Sequence, residues 1–377
     1  MTGKTFNNLI NLPSDLHQSL PQACFIQKHI LKDTEGAEIN ILTICNGLLT
    51  YTVLIERGLD IGEIYLGHEK ISWDRDTKYM LHPDNVDLTQ NGGTGWINGF
   101  YPAVVSIGPE LFGTPGEGYT LHGSGSYSPA APETVTVSYN DEVFSVEGTV
   151  NVRDHNLKII FEKKISIRSR LHTNIILREE AVKNMSDLTR VLDDGLHIQL
   201  AGSYINQGGN YILPVMKHGM LIRDSAPAEA DPLCIPPVSA GKQPLRCYQY
   251  IPETVSGLDE ISELDSWLSA LVSELGITAE MIVNTKRDTA AYVVRPLDCF
   301  PRSLIAKEIN ENAMFSFEPC RTRPNRMSQK ITDGEAFFLQ PHATSKNQCI
   351  MGITKDTKTI IALEKLIQES SGAEKCR

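Results

Sequence analysis

Three short stretches carry residues able to move protons. Glu318 lies in MFSFEPC, His197 in DDGLHIQLAGSY, and His122 in LHGSGSYSPA. A carboxylate and an imidazole on either side of one acetal suffice for general acid–base chemistry: one takes a proton, the other gives one. The residues around Glu318 (Phe315, Phe317, Pro319) predict a partly desolvated carboxylate, which favours the protonated form. Plainer readings stand beside these. Glu318 is also placed to pair with Arg321 or Arg323, His197 to be a satisfied core residue, and His122 to be a solvated loop residue. Arg321, Arg323 and Arg326 follow Glu318 closely. They read either as surface charge or as guanidinium forks for an acidic or phosphorylated ligand.

The elements that must hold these groups are strand-like. Residues 38–67 are rich in β-branched side chains, with turns at Asn46-Gly47 and Arg57-Gly58. Residues 133–169 alternate apolar and polar positions and reverse at Asn140-Asp141 and Asp154-His155-Asn156, the pattern of an antiparallel meander. Further strands are expected at 172–187, 290–296, 313–318, 335–340 and 348–354. Helical spacing appears at 257–275 and 356–370, the latter closing the chain before a frayed tail, SSGAEKCR. Pro/Gly-rich loops are expected at 91–132 and 225–244, and the first holds His122. These readings give a mostly β protein, one domain of 377 residues: an N-terminal segment 1–37, a core 38–355, and a C-terminal helix and tail 356–377.

Composition narrows the classes. Thirty-five basic against 46 acidic residues leave a net charge of −11, unsuited to nucleic acid or an anionic membrane surface. No apolar run approaches the roughly 20 residues of a membrane span, and the N-terminus lacks a secretory pattern. Eight cysteines (24, 45, 234, 247, 299, 320, 349 and 376) form no CxxC pair. That predicts reduced thiols in a cytoplasm and no structural zinc site. There is no GxGxxG after a strand, no GxxxxGK[ST], no HExxH and no nucleophile elbow.

In order, ERGLDIGEIYLG (56–67), Trp73, His82-Pro83, Gly95-Trp96, LHG (121–123), LHIQLAG (196–202), FEP (317–319) and RxRPNR (321–326) resemble the galactose mutarotase (aldose 1-epimerase) superfamily, closest to its uncharacterised bacterial aldose-1-epimerase-like branch. The resemblance spans about residues 38–355. It implies a β-supersandwich of large antiparallel sheets, a sugar cleft across one of them, and proton transfer needing neither metal nor cofactor. The family's base maps onto Glu318, its paired histidines onto His122 and His197, and a substrate-contacting arginine onto Arg57. Trp73 and Trp96 are expected to line the cleft, and Asp60, His82, Gln199, Arg321, Asn325 and Arg326 to join Arg57 in binding substrate. Gly123 and Gly125 would let the backbone approach the ligand. His197, in a strand-like segment, is favoured as the acid. Two departures bear on the sugar: Ser124 stands where the branch has arginine, and Leu196 and Gln199 replace tyrosine and asparagine. The partner implied is a small sugar, acidic or phosphorylated if the late arginines reach it, bound by a monomer or homodimer. A non-catalytic sugar-binding protein on the same scaffold is the alternative. A uronic-acid-sugar lyase using Tyr127 or Tyr204 is a third.

Overall fold

The computed structural model describes residues 4–7, 17–20, 23–101, 103–205, 208–215, 219–223, 231–237 and 241–371. Cys376 and most of the expected tail lie outside them, as does much of the 225–244 loop. Among the described residues the architecture is two large antiparallel sheets packed face to face, as expected. The twelve-stranded sheet has at its middle the series Arg302–Ile309, Met314–Cys320, Gly195–Ala201, Val104–Ile107 and Asp60–Leu66. The ten-stranded sheet is built on the long meander Val143–Arg153, Ile159–Arg170 and Ile175–Asn184, continued by Thr344–Thr354 and Ala290–Pro296.

Alternation along the strands fills the space between the sheets. Ile26, Leu42, Val53, Val146, Ile165, Ile198, Phe315 and Phe317 all point into one apolar core. Burial of this scale is the main favourable term in folding. A second core lies behind the ten-stranded sheet, where Leu264 and Trp267 of helix Ser262–Leu268 and Ile360, Leu363 and Ile367 of helix Thr357–Ser370 cover Met281, Tyr292 and Ile350. No described helix is long and apolar enough to cross a membrane.

Three expectations needed correction. The segment before residue 38 is not outside the core: strand Phe25–Lys32 pairs along its whole length with Glu38–Cys45 and buries Ile26 completely. The 257–275 helix is only Ser262–Leu268. Beyond it the chain is drawn onto the sheet, where the Gln348 amide donates to the Ala270 carbonyl and accepts from the Val272 N–H. The 91–132 loop contains strand Val104–Ile107, which joins the sheet beside His197.

Buried ion pairs tie the two sheets. Arg178 of the ten-stranded sheet pairs with Glu180 at 2.7 Å and reaches across to the Leu59 carbonyl (2.6 Å) and the Ser106 hydroxyl (2.8 Å). Lys163 joins Glu180 at 3.2 Å. Burial alone would raise the Glu180 carboxyl, but Lys163 and Arg178 outweigh it and hold it low. Arg295 pairs with Glu280 at 2.9 Å, both wholly buried, and Ser303 of the other sheet donates to Glu280 at 3.1 Å. Replacing Arg295 by methionine strands a buried carboxylate, which costs about 3–5 kcal/mol. Urea unfolding of Arg295→Met should show that loss, and adding Glu280→Gln should recover part of it.

Candidate active site

The site is built by register. In MFSFEPC, Phe315 and Phe317 enter the core, which leaves Ser316 and Glu318 on the outer face of the twelve-stranded sheet. In GLHIQLA, Leu196, Ile198 and Leu200 enter the core, which leaves His197 and Gln199 outside. The strands pair with Gly195 opposite Cys320, Ile198 opposite Phe317 and Gln199 opposite Ser316. The same antiparallel register sets His197 opposite Glu318. His197 Nε2 lies 3.2 Å from Glu318 Oε1. The two phenylalanines expected to desolvate Glu318 therefore face away from it, and its contacts are polar. The Ser316 hydroxyl donates to the same Oε1 at 2.8 Å, while the Ala306 N–H donates to Ser316 at 2.9 Å. No described residue gives Oε2 a hydrogen bond.

The Gln199 amide nitrogen meets His197 Nδ1 and also donates to the His197 carbonyl at 3.1 Å. Nδ1 is thus the acceptor, and Nε2 carries the proton that faces Glu318. Gln199 Oε1 is left buried without a partner.

His122 comes from a loop, with φ +57°. Its Nδ1 accepts from the Gly113 N–H at 3.2 Å, so its Nε2 also carries the proton. The ring stands nearly perpendicular to His197, 6.4 Å between centroids, and packs on Trp96 at 4.8 Å and Phe112 at 5.6 Å. Burial pushes both imidazoles below their ordinary proton affinity. Around His122, the neighbouring His197, Arg223 and Lys330 add to the effect; at His197, Glu318 opposes it. Both are neutral N–H donors near pH 7.

The loop is clamped from several sides. The Gly108 N–H donates to the His122 carbonyl at 2.8 Å. Phe112 is held at both ends: its N–H donates to Asp193 at 2.8 Å, and its carbonyl accepts from Lys330 at 2.5 Å. Lys330 and Asp193 pair directly, both wholly buried. Gly123 and Gly125 serve this packing and not a ligand: a Cβ at either would meet the Gly108 carbonyl, at 2.9 and 2.6 Å. Ser124 is turned to Glu110, accepted by its carboxylate through both hydroxyl and N–H.

Of the other expected site residues, Trp73 and Trp96 reach the site. They pack on Phe100, which lies 5.0 Å from the His197 ring. Trp96 is buried with its Nε1–H unpartnered. Arg57 does not line the site. It is 1% exposed, donates to Ser126 O, Ser126 Oγ and Leu81 O, and lies over the Tyr127 ring, so it pins the loop. Asp60 belongs to the sandwich interior, accepting the Ser106 N–H at 2.9 Å near Arg178. His82 caps the turn at Pro83–Asn85 through the Asp84 N–H. Arg321 pairs with Asp194 at 2.7 Å and Asn347 at 2.9 Å, and Arg323 is held by Glu335. Asn325 is partly buried and Arg326 exposed, beyond Pro324, whose carbonyl binds Thr114 and Arg223. Tyr127 donates to the Trp96 carbonyl and Tyr204 to the Ala290 carbonyl. Sequence reasoning missed Phe100, Ser316 and the Asp193–Lys330 clamp. Only Ser316 left a signal, two residues before Glu318 on a strand and so on its face.

A cavity of about 730 Å³ lies elsewhere, over the ten-stranded sheet between Lys164, Glu179, Lys346 and the 272–274 segment. Its lining carries no histidine, whereas the other centre sets the His197 imidazole against the Glu318 carboxylate, so the His197–Glu318 centre is the better candidate.

Large antiparallel sheets packed face to face make a β-supersandwich of the galactose mutarotase-like fold. The chain belongs to the family described as a domain of unknown function (DUF4432), whose model matches residues 36–233. No curated protein matches it. Among solved structures it is similar to a putative aldose 1-epimerase from Klebsiella pneumoniae, with a TM-score of 0.79 at 18% identity over 99% of this chain and 97% of that one. It is also similar to a galactose mutarotase-like protein from Clostridium acetobutylicum (TM-score 0.59, 13% identity, 88% and 98% covered). At such identities the likeness is one of fold.

A histidine whose proton affinity is lower in the folded chain binds its proton preferentially when unfolded. Its effect is absent above the ordinary imidazole range and destabilises as pH falls through it. The unfolding midpoint should therefore fall between about pH 7.5 and pH 5.5. His122→Asn, which tolerates the positive φ, should fall less. Equal slopes would show that His122 is not held neutral.

Proposed function

We propose that the chain is a sugar isomerase of the aldose 1-epimerase kind, interconverting anomers by acid–base ring opening. The observation that carries this is the 3.2 Å contact between His197 Nε2 and Glu318 Oε1, with a second neutral imidazole, His122, perpendicular to it. Glu318 Oε2, without a described donor, is the oxygen free to take the proton of the C1 hydroxyl. The ring oxygen accepts a proton as the C1–O5 bond breaks; the imidazolium form of His197 or His122 gives it and returns to the neutral imidazole, and the lowered proton affinity of both makes that form a strong acid. The open aldehyde turns about C1–C2 and closes on its other face, returning both protons. Each positioned transfer contributes about 10²–10⁴-fold in rate, and the ordered N–H groups stabilise charge on the departing oxygen. Trp73, partly exposed and backed by Phe100, supplies an apolar face on which a sugar ring packs, and the buried Trp96 supports Phe100 from behind.

Glu318→Gln keeps size and shape while removing the base. Anomer exchange of D-galactose and D-glucose, followed by NMR, should fall by about 10²–10⁴-fold, with sugar binding retained. Exchange that survives this change would remove Glu318 from the chemistry. Sugar binding by the unaltered chain without exchange would make it a binding protein.

A further inference from the structure

Arg75 stands at the rim of the site without a described salt-bridge partner, although Glu308 acts on its charge at longer range. Its sequence neighbours are occupied elsewhere: Asp74 pairs with Lys70 at 2.9 Å, and Asp76 lies 3.5 Å from Lys78. No described carboxylate lies within ion-pair distance of Arg75 itself. Its guanidinium carbon lies 3.7 Å from the Tyr79 ring centre, 5.4 Å from Trp73 and 5.5 Å from Phe100. Of five N–H donors, one makes a long 3.5 Å bond to the Ile97 carbonyl and another engages the Tyr79 hydroxyl. The group is half-buried, and burial lowers its proton affinity. A partly desolvated cation stacked on aromatic faces, with donors left over, fits the planar oxygens of a carboxylate or phosphate.

The rim is fixed relative to the reacting centre. Trp73 Nε1–H donates to the Asn312 carbonyl at 3.0 Å, and the Asn312 amide donates to the Asp74 carbonyl at 2.7 Å. Asn312 lies two residues before the first residue of strand Met314–Cys320, which carries Glu318. Segment 73–75 and the base thus sit on one rigid frame. Phe100 bridges the two, 5.5 Å from Arg75 on one side and 5.0 Å from the His197 ring on the other. Arg75 and His197 are therefore no further apart than those two lengths end to end, a reach suited to a sugar ring with one exocyclic substituent. The arginines after Glu318 leave this role open: Arg321 and Arg323 are already bound to Asp194 and Glu335.

We propose that Arg75 receives an anionic substituent, carboxylate or phosphate, on the sugar whose anomeric carbon lies at Glu318 and His197. The inference rests on the sugar reading above and deepens it. An arginine stacked only to shield aromatic surface would be indifferent to the charge of the sugar.

The test compares D-glucose, D-glucuronate and D-glucose 6-phosphate on the full chain, with binding by calorimetry and anomer exchange by NMR. At least one charged sugar should bind about tenfold or more tighter than D-glucose, the scale of a charge-assisted hydrogen bond. The better of the two charged arms names the carboxylate or the phosphate. In Arg75→Met that ratio should fall toward one, and Arg75→Lys should restore part of it; circular dichroism checks that both variants are folded. Equal binding of charged and neutral sugars, or a preference that survives in Arg75→Met, overturns the proposal. Arg75-dependent binding without exchange of any sugar supports it while removing the isomerase reading. Exchange lost in Glu318→Gln but blind to sugar charge does the reverse.

Discussion

The site depends on one alignment, the antiparallel register between Gly195–Ala201 and Met314–Cys320. Side chains alternate with a period of two, so a slip of one residue would set Leu196 or Ile198 where His197 now meets Glu318. Apolar burial forbids that slip, because the strand that moved would take its own pair, Leu196 and Ile198 or Phe315 and Phe317, out of the core together. The His197–Glu318 pair is thus held by the hydrophobic faces behind it. Polar ties across the sandwich reinforce the same strands. Arg178 reaches Ser106 on one side of them, Arg295 reaches the 300–302 segment on the other, and Arg321 ties their ends to Asn347.

His122 has no register to hold it, since it lies in a loop in a left-handed conformation. The protein replaces the ladder with individual contacts: Gly113 on its ring, Gly108 on its carbonyl, Arg57 on the following turn, and the Asp193–Lys330 pair on Phe112. Buried charges such as Lys330 and Asp193 are expensive unless paired and hydrogen-bonded. Here each is also bonded to the Phe112 backbone, so breaking the pair would release the segment that sets the His122 tautomer. Arg57, mapped by resemblance to the substrate, belongs to this scaffolding.

The sequence exposes the strands better than the directions of their side chains. The 290–296 strand and the closing helix were legible because a period of two or 3.6 is written in the residue types. Glu318 and His197 were legible as isolated ionisable residues in apolar strands. The face was harder to read: flanking phenylalanines look like a desolvating pocket until the pleat sends them the other way. Asp60 misled for a related reason. A carboxylate in a motif reads as a ligand contact, whereas its partners Ser106 and Arg178 lie 46 and 118 residues away and meet it only once the sheets stack. Phe100 and Arg75 carry no signature in sequence, since an aromatic cage forms only when 73–79 and 96–100 come together.

Charge offers a last constraint. A chain of net charge −11 repels anions at long range, but in physiological salt that repulsion is screened beyond roughly 8 Å. Recognition of an acidic sugar would therefore be decided inside the site, where the local balance differs from the whole. Around His122 stand Arg223 and Lys330, the latter paired with Asp193, and on the other rim stands Arg75, with no described carboxylate in ion-pair contact. Glu318, the negative group at the centre, is engaged by Ser316 and His197 through a single oxygen. A base flanked by neutral N–H donors, with cations kept to the rims, can take a proton from a hydroxyl while an anionic substituent is held away from it. Placing the cation beside Glu318 would stabilise the carboxylate and weaken it as a base. On the proposed reading, holding Arg75 beyond Phe100 keeps binding and proton transfer apart.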